Sequence, residues 1–432
     1  MRQRGKGRGH SRGRMTAAWC AALCAVMALP GGTAQAADAP GSYSFDSKAK
    51  PVRGATVNSN AQRLTPGSVY RDRIKKDGKL YYRLDLDART NAYVSVVAVP
   101  RAGGKVEYGD GITVSLKSGT DSQCSTQDAS FEGGTFTRPI AAYAHRMIEP
   151  DSTNCQERGA YYVLVERTTK PTSTPDDWDL EIRYDEEPPL KAAGPTEAPE
   201  DWPSASPAPP AGGPQKRAGG TGFNDAMSIG QGEWRDDIKP GQTRYFRVPV
   251  DWGQQLFVAA DLGSSTASTD YVSDALVVAL HNPARGYVLQ AAGPYDGKPS
   301  SLGLKSLPPV AYENRFDSNE SASGMRFAGW YYVSAALSPA LAEKYGDKAV
   351  PLTLRVNVTR QAKQGPGYDG QPGIFAVTDD DRDAVAKGVS GPGAARSDTM
   401  KLVAVAGIGA GTVLLLVLGG WRVLARRHRP AA

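Results

Sequence analysis

Few residues in the long central part of this chain could carry acid–base or nucleophilic chemistry. Away from the two termini the histidines are His145 and His281, and neither lies in an H-E-x-x-H motif. No G-x-S-x-G segment is present to expose a nucleophilic serine. A triad can still assemble from distant segments, but we interpret both histidines as packing or surface residues. The sequence therefore predicts no catalytic residue, and no phosphate-binding loop or other cofactor site.

Two cysteines remain once the first 36 residues are set aside. Cys124 and Cys155 both fall in the part of the chain that we expect to be exported. An even number of cysteines in an oxidising compartment indicates one disulfide. Two buried free thiols are the alternative, and no nearby histidine would activate a thiolate at either position.

Acidic residues cluster at several points that could be considered for calcium. Asp85 and Asp87 share one face of an alternating segment, while Asp72 and the pair Asp236–Asp237 precede matching segments. A calcium site needs several oxygens converging from neighbouring loops, whereas a solvated polar strand face needs none. We favour the solvated face and predict no metal site. The charge run 378–383 is interpreted as part of a flexible stalk.

The N-terminus has the three parts of a secretory signal peptide. Six basic residues precede an apolar run at 15–29, and small residues follow up to Ala36. The apolar run is about 15 residues long, which is short of the roughly 20 that a membrane span requires. We therefore predict cleavage between Ala36 and Ala37.

The C-terminus is predicted to anchor the chain in a membrane. The segment from Leu402 to Trp421 is uncharged and is about 20 residues long, as a transmembrane helix requires. Four arginines follow it, and such a basic flank marks the cytoplasmic side. Gly407 and Gly411 form a G-x-x-x-G step that would allow weak dimerisation of the helix. The predicted location is a single-pass cell membrane protein with its N-terminus and bulk outside.

The charge balance argues against a nucleic-acid partner. The whole chain carries a formal charge of +6. However, the basic residues at the two ends account for this excess, because 41 Lys and Arg stand against 45 Asp and Glu between them. A nucleic-acid-binding protein would instead carry a basic patch or stripe.

A Pro-, Ala- and Gly-rich stretch at 186–221 divides two halves that repeat one another. Its composition cannot build a core, so it is predicted to be an extended linker. Blocks beginning at Tyr70 and Tyr81 recur, without a gap between them, at Trp234 and Tyr245, and further blocks follow in the same order. A tandem duplication explains this order. The expected organisation is a signal peptide at 1–36, a domain at 45–185, the linker at 186–221, a second domain at 222–359, a flexible stalk at 360–401, a transmembrane helix at 402–421 and a cytoplasmic tail at 422–432.

Each repeated block has the pattern of a β-strand. In the block that contains Tyr82, Leu84 and Leu86, apolar and charged residues alternate, as in a half-buried strand. The runs 93–99 and 256–260 are apolar throughout and predict more fully buried strands. Turn residues separate the blocks, and 338–345 predicts a short turn of helix. The predicted fold class is all-β, with two tandem antiparallel β-sandwich (jelly-roll-like) domains and one C-terminal transmembrane helix.

The order of the blocks resembles the bacterial pre-peptidase C-terminal (PPC) domain family. The second half shows the motifs most clearly, at Tyr245–Val250 (YFRVPV), Asp274–Gly286, Gly329–Val333 (GWYYV) and Leu352–Val356 (LTLRV). The first half carries the same elements, although its third block lacks the proline of the turn. The resemblance implies small, non-catalytic β-sandwiches of the kind that accompany secreted peptidases. No peptidase domain is attached here.

Two functions follow as expectations. The first is a non-catalytic cell-surface protein that displays two PPC-like interaction domains to an envelope protein or polymer, with membrane lipid contacting its C-terminal helix. The second is an accessory or targeting subunit of a separate secreted or membrane-associated enzyme such as a peptidase. Two linked modules can raise avidity if both engage one partner.

Overall fold

The computed structural model describes residues 43–149, 152–199, 201–265 and 267–391. Within those ranges no helix is long and apolar enough to cross a membrane. Several sequence predictions fall outside the described residues: the signal peptide with Ala36 and Ala37, the transmembrane helix from Leu402 to Trp421, its glycines Gly407 and Gly411, and the cytoplasmic tail.

The first half of the described chain forms one β-sandwich, which we call the N-sandwich. Its two five-stranded sheets have the orders β1-β3-β10-β5-β8 and β2-β4-β9-β6-β7. The strands are β1 (Lys50–Pro51), β2 (Gln62–Arg63), β3 (Ser68–Ile74), β4 (Lys79–Leu86), β5 (Asn91–Val99), β6 (Gly111–Ser118), β7 (Gln123–Ser130), β8 (Ile140–Arg146), β9 (Gly159–Thr168) and β10 (Trp178–Glu187).

The second half, the C-sandwich, repeats this topology strand for strand. Its sheets have the orders β11-β13-β20-β15-β18 and β12-β14-β19-β16-β17. The strands are β11 (Pro214–Lys216), β12 (Met227–Ser228), β13 (Gly232–Ile238), β14 (Thr243–Val250), β15 (Gln255–Leu262), β16 (Val272–His281), β17 (Tyr287–Tyr295), β18 (Ser300–Gly303), β19 (Gly329–Leu337) and β20 (Val350–Thr359). Because each strand has a counterpart in the same sheet position, the topology agrees with a duplication, and the predicted all-β sandwich architecture is confirmed for the described residues.

The core residues lie at the apolar positions of the predicted alternation. In β4, Tyr82 and Leu84 are fully buried and Leu86 nearly so, while Arg83 and Asp85 face solvent. Strand β14 repeats this arrangement in the C-sandwich core. The large aromatic and β-branched side chains of both sheets fill each sandwich. The two halves thus have separate cores of the same design.

The matching strands β5 and β15 differ in burial, and this difference reveals how the sandwiches meet. Every residue of β5 is buried, on both faces of its sheet. In β15 the burial alternates, and residues such as Phe257 and Ala259 remain partly exposed. One face of β5 packs on the N-sandwich core, and the other is covered by the C-sandwich. The prediction of a fully buried strand is therefore right for β5 and wrong for β15, whose outer face is not covered by a second sandwich within the described residues.

Short helical segments complete the described fold. Helices α1 (Glu320–Ser323) and α2 (Ala340–Tyr345) lie in loops of the C-sandwich, and α3 (Asp379–Lys387) follows it. Single 3-10 turns occur at Asn58–Asn60 and Tyr312–Phe316. Helix α2 falls within the segment 338–345, where a short turn of helix is predicted.

The predicted extended linker at 186–221 is hydrogen-bonded to the sandwiches at several points. Glu187 is the buried end of β10, and the Lys191 N–H donates to the Gly367 carbonyl at 2.8 Å. Further on, Gln255 Nε2 donates to the Pro203 carbonyl at 2.6 Å. Strand β11 pairs in parallel with β13, just as β1 pairs with β3. Composition indicated no core here, but extended backbone can still pair with sheets that lie beside it.

The expected flexible stalk is also corrected over residues 360–391, which we call the closing segment. Phe375 is fully buried and Tyr368 nearly so. Helix α3 begins at a capping box between Thr378 and Asp381 and ends at Gly388, which has a left-handed backbone. The acidic run is therefore the first turn of a helix, where carboxylates are favoured by the helix dipole. The remainder of the expected stalk lies outside the described residues.

Candidate functional site: a crevice between two joined sandwiches

Two buried ion pairs join the sandwiches, and both carboxylates come from β10. The first pairs Glu181 with Arg285 of the C-sandwich, at 2.6 Å between Oε1 and Nη1. Their side chains are 0% and 3% exposed. Glu181 also accepts hydrogen bonds from Tyr43 Oη and Asn224 Nδ2. Burial lowers the pKa of Arg285, but the Glu181 carboxylate outweighs it, so the net shift is upward and the arginine stays charged.

The second pair joins three parts of the chain. Glu187 accepts from both Nη atoms of Arg315, at 2.9 and 3.2 Å. Asn91 Nδ2 and Tyr93 Oη of the N-sandwich donate to the same carboxylate, and so does Tyr368 Oη of the closing segment, at 2.7 Å. Burial alone would raise the pKa of Glu187, but the Arg315 charge and the donated hydrogen bonds lower it overall. The carboxylate is thus held ionised by neighbours from both sandwiches.

Aromatic packing surrounds the ion pairs. Tyr93 meets the ring of Phe327 edge-on, with the ring centroids 5.0 Å apart, and Phe375 of the closing segment packs on both rings. On the other side, Phe223 packs between Tyr245 and Tyr332, in a cluster with Val97, Val99 and Ala141 of the N-sandwich. A buried, aromatic interface with paired charges thus holds the sandwiches together.

A crevice of about 430 Å³ opens at one side of this interface. Beside it, Gln127 of β7 connects the two sandwiches, because its side-chain amide donates to the Tyr287 carbonyl and accepts from the Tyr287 N–H of β17. Both sandwiches supply walls, so the crevice exists only while they are joined. Its lining is Gly109, Gly111, Ile112, Thr113, Asp128, Ala129, Ser130, Glu132, Arg138, Pro139, Ile140, Ala141 and Thr168 from the N-sandwich, and Thr243, Val277, Ala279, His281, Tyr287, Gln290, Ser334 and Ala336 from the C-sandwich.

Arg138 is the cation in the crevice wall, and it is only 7% exposed. Its Nη1 donates to the carbonyls of Gly134 and Phe136, at 2.6 and 3.3 Å. The rings of Phe131 and Phe136 each lie 5.1 Å from the guanidinium. Burial lowers the pKa of Arg138 to about 10, so it is still charged at neutral pH. Within the described ranges no carboxylate forms an ion pair with it.

The two candidate histidines are poorly placed for acid–base catalysis. His281 lines the crevice, but burial and the neighbouring Arg285 lower its pKa to about 3. His145 is partly buried on β8, and its pKa is lowered by burial and by Arg326 and Arg315. Neither Nδ1 has a hydrogen-bond partner within the described residues, whereas a catalytic histidine is oriented through that atom. Both side chains are therefore neutral ring contacts of the interface.

The other predicted residues have structural roles. Cys124 and Cys155 form the predicted disulfide, which ties β7 to the loop before β9. Asp72 accepts from the Gly54 N–H and from Tyr82 Oη, and the matching Asp236 accepts from the Gly219 N–H. These repeated aspartates hold the chain that enters each sandwich.

The remaining acidic positions make local contacts. Asp85 pairs with the exposed Arg63 and Arg83, and Asp87 accepts from the N–H groups of the following turn. Within the described residues no group of three or more His, Cys, Asp or Glu side chains is arranged to hold a metal ion.

Sequence reasoning missed the residues that join the sandwiches and the arginine of the crevice. Glu181 and Glu187 lie on one face of β10, and Leu180 and Ile182 lie on the other. Such alternation is typical of a strand with one solvated face. The sequence signal that could have predicted the interface is in β5, because its apolar residues occupy both faces of the strand. A sandwich strand buried on both faces requires a second layer over it.

Comparison with known proteins adds little to this architecture. No protein-family model and no curated protein sequence matches the chain. The pre-peptidase C-terminal domain of a collagenase from Bacillus anthracis has 19% identity, covering 29% of this chain and 94% of that one, with a TM-score of 0.19. The CBM22-1–CBM22-2 tandem domain of Paenibacillus barcinonensis Xyn10C has 9% identity, covering 74% and 100%, with a TM-score of 0.19. At these TM-scores neither likeness carries an argument, and the β-sandwich class rests on the strand pairing of the chain itself.

Proposed function

We propose that this chain is a non-catalytic cell-surface binding protein whose two PPC-like sandwiches act as one rigid module with a shared ligand crevice. The observation that carries the proposal is the crevice itself, whose walls come from both sandwiches. Buried ion pairs and aromatic packing fix those walls. A pre-formed cleft with a few polar groups is the usual form of a binding site.

The lowered pKa values of the two histidines support the non-catalytic part of the proposal. A general base must accept a proton near neutral pH, whereas His281 in the crevice has a pKa of about 3. The interface gives each histidine a packing role instead.

The surface location is part of the same proposal. It is supported by the signal-peptide pattern at 1–36 and the apolar segment from Leu402 to Trp421. The partner is an envelope polymer or envelope protein outside the membrane. The sandwiches are already joined in one arrangement, so a ligand that contacts both of them does not incur the entropic cost of ordering them. Two domains on a flexible linker would have to be ordered by the ligand.

Blocking the crevice tests the proposal. Purified full-length protein is mixed with peptidoglycan and wall polysaccharide from the producing cells, and bound protein is measured by co-sedimentation. Ala279→Trp fills the crevice from β16 and should reduce binding at least tenfold. Thr353→Trp is the control, because Thr353 lies on the outer face of β20, away from the crevice.

The outcomes separate the alternatives. Equal binding by the Ala279→Trp variant and the wild type would place the ligand elsewhere and overturn the crevice proposal. Hydrolysis of peptide, ester or glycan substrates by the wild type that is lost in His281→Ala would show an enzyme. If cross-linking at the crevice recovers a separate enzyme instead of a wall polymer, the accessory-subunit function is the correct one.

A further inference from the structure

A strongly basic stretch of sequence begins the N-sandwich. Between Lys48 and Arg83 there are ten Lys and Arg, two Asp and no Glu, which is a net charge of +8. Elsewhere between the two ends of the chain, 31 Lys and Arg stand against 43 Asp and Glu. Like charges that are held close together repel one another and weaken the folded state. Their accumulation in one segment of an otherwise acidic chain therefore needs a reason other than stability.

The duplication shows that the fold does not require this charge. The matching segment 213–247 of the C-sandwich has six Lys and Arg against four Asp and Glu, a net charge of +2. It nevertheless forms the same strands at the same sheet positions. By strand register, Arg73 corresponds to Asp237 and Lys79 to Thr243. The cations are thus a property of the first copy and not of the sandwich.

The structure collects several of these cations in one open groove of about 930 Å³, which we call the basic groove. Its walls are the chain that enters the N-sandwich, strand β3 and the turn from β3 to β4. It shares no lining residue with the crevice between the sandwiches. The cations that line it are all exposed: Arg53, Arg71, Arg73, Lys75 and Lys79.

Three aspartates also line the basic groove, but they do not neutralise it. Asp179 pairs with Arg73 at 2.7 Å, and Asp72 accepts hydrogen bonds from inside the N-sandwich. Asp177 is exposed. Within the described residues three lining cations form no ion pair: Arg53, Arg71 and Lys75. Five cations against three aspartates leave the groove positive.

The cations along β3 are regularly spaced. Arg71 and Arg73 lie on the outer face of the strand, and Lys75 follows its end. Alternate residues of a strand are about 6.6 Å apart. The guanidinium of Arg71 lies over the Phe45 ring, 4.0 Å from its centroid, and such stacking fixes its plane while the N–H groups at its edge stay available. A row of this kind matches a linear chain that carries one negative charge in each repeating unit.

The lining also restricts the chemistry of that chain. Phosphate is bound both by the planar guanidinium and by the point-like ammonium, whereas a carboxylate is matched best by the guanidinium fork. The basic groove contains both kinds of cation. Nucleic acid would need aromatic side chains on which its bases could stack, and the described lining contains none. A phosphodiester polymer with small uncharged linking units fits these conditions.

We propose that the basic groove binds a linear phosphodiester polymer of the cell envelope. This is a second binding site, separate from the crevice, and it depends on the proposed function only for the surface location that brings the polymer within reach. The exposed cations contribute the binding energy, chiefly by releasing the counterions of the polymer.

Fluorescence anisotropy with labelled poly(glycerol phosphate) tests the proposal. The full-length protein is titrated at pH 7 in sodium chloride from about 50 to 200 mM, and the logarithm of the affinity should fall linearly with the logarithm of the salt concentration. The triple variant Arg53→Gln/Arg71→Gln/Lys75→Gln should bind at least about tenfold more weakly in the lowest salt. Its salt slope should be shallower by about 2, because each lost phosphate contact removes about 0.7.

A second triple variant controls for the change in total charge. Lys298→Gln/Lys344→Gln/Lys348→Gln removes three exposed cations from the C-sandwich, and it should bind the polymer like the wild type. Asp177→Asn removes an exposed carboxylate from the basic groove and should strengthen binding severalfold. All these positions are exposed, and unchanged thermal unfolding would confirm that each variant is folded.

Several results would overturn the proposal. Equal weakening by the two triple variants would mean that only the total charge of the protein matters. Tighter binding to single-stranded DNA, poly-glutamate or anionic lipid vesicles of equal charge would assign the groove to another class of ligand.

The two binding sites can be tested independently. Ala279→Trp should bind poly(glycerol phosphate) like the wild type, because Ala279 lines the crevice and not the basic groove. Loss of polymer binding in Ala279→Trp, with full binding retained by Arg53→Gln/Arg71→Gln/Lys75→Gln, would place the polymer in the crevice. The basic-groove proposal would then fail while the proposed function stands.

Discussion

Replacing Glu187 by alanine removes the carboxylate that connects β10, the C-sandwich and the closing segment. Four side chains donate to it, and one of them is the guanidinium of Arg315, which is 3% exposed. Without the carboxylate, the contacts that this guanidinium retains among the described residues are the Tyr312 carbonyl, at 2.9 Å, and the Tyr312 ring beside it. Breaking a buried pair from one side costs about 3–5 kcal/mol. We expect Glu187→Ala to lower the free energy of unfolding by that amount.

The exposed pair Lys79–Glu166 supplies the control, because its side chains are 63% and 30% exposed. Pairs of this kind contribute about 0–1 kcal/mol, so Glu166→Ala should change little. The double variant Glu187→Met/Arg315→Met replaces both charges with apolar side chains. It should cost much less than the sum of the two single changes, because no buried charge is left unpaired.

Urea unfolding and calorimetry of the full-length protein measure these effects. Urea midpoints with unchanged slopes give the change in stability. Calorimetry shows whether Glu187→Ala splits unfolding into two transitions, as we expect if the pair couples the sandwiches. A loss below about 1 kcal/mol with a single transition would refute the reasoning, because it would mean that the Glu181–Arg285 pair and the aromatic packing join the two halves without Glu187.

Three further predictions concern the same interface. Gly329→Ala should destabilise the protein by more than about 1 kcal/mol in urea unfolding. The φ angle of Gly329 is +131°, and an added Cβ would lie 2.3 Å from the Ile374 carbonyl oxygen. Gly159 occupies the matching repeat position but has open space around it, so Gly159→Ala should be close to neutral. Phe375→Ala should cost about 3–5 kcal/mol by the same measurement, as for other buried aromatics, since the ring is fully buried between the sandwiches. The lowered pKa of Glu187 means that its contribution to stability is present above its ordinary pKa of 4.5 and is lost as the pH falls through the folded-state pKa; urea midpoints from pH 7 to pH 3 should therefore fall further for the wild type than for Glu187→Gln.

The repeat and the strand pattern were readable from the sequence because they depend on local periodicity. Side chains alternate along a strand, so Tyr82, Leu84 and Leu86 had to share the core face. The duplication was readable for the same reason, since matching blocks at Tyr81 and Tyr245 occupy matching strands. The disulfide followed from cysteine count and expected compartment.

The charge run at 378–383 contained more information than the stalk interpretation used. Thr378, the following aspartates and Gly388 are an N-cap, a first turn and a C-cap, and the structure forms that helix. Its short length and sparse apolar content made a flexible segment the simpler interpretation. What stabilises it is tertiary: Trp330 Nε1 donates to Asp381, and Arg382 pairs with Asp251.

By itself, therefore, the sequence determined which segments form strands, which side chains of those strands face a core, and that the two halves share one design, because each depends on neighbours close along the chain or on an internal copy. It could not determine that the two copies form one interface. Glu181 and Arg285 lie 104 residues apart, and Glu187 and Arg315 lie 128 apart. A charged residue on a strand face looks the same whether water or another sandwich covers it. The arrangement of the sandwiches, the shared crevice and the burial of Arg138 in its wall were decided by tertiary structure alone, because burial is a property of what packs against a residue.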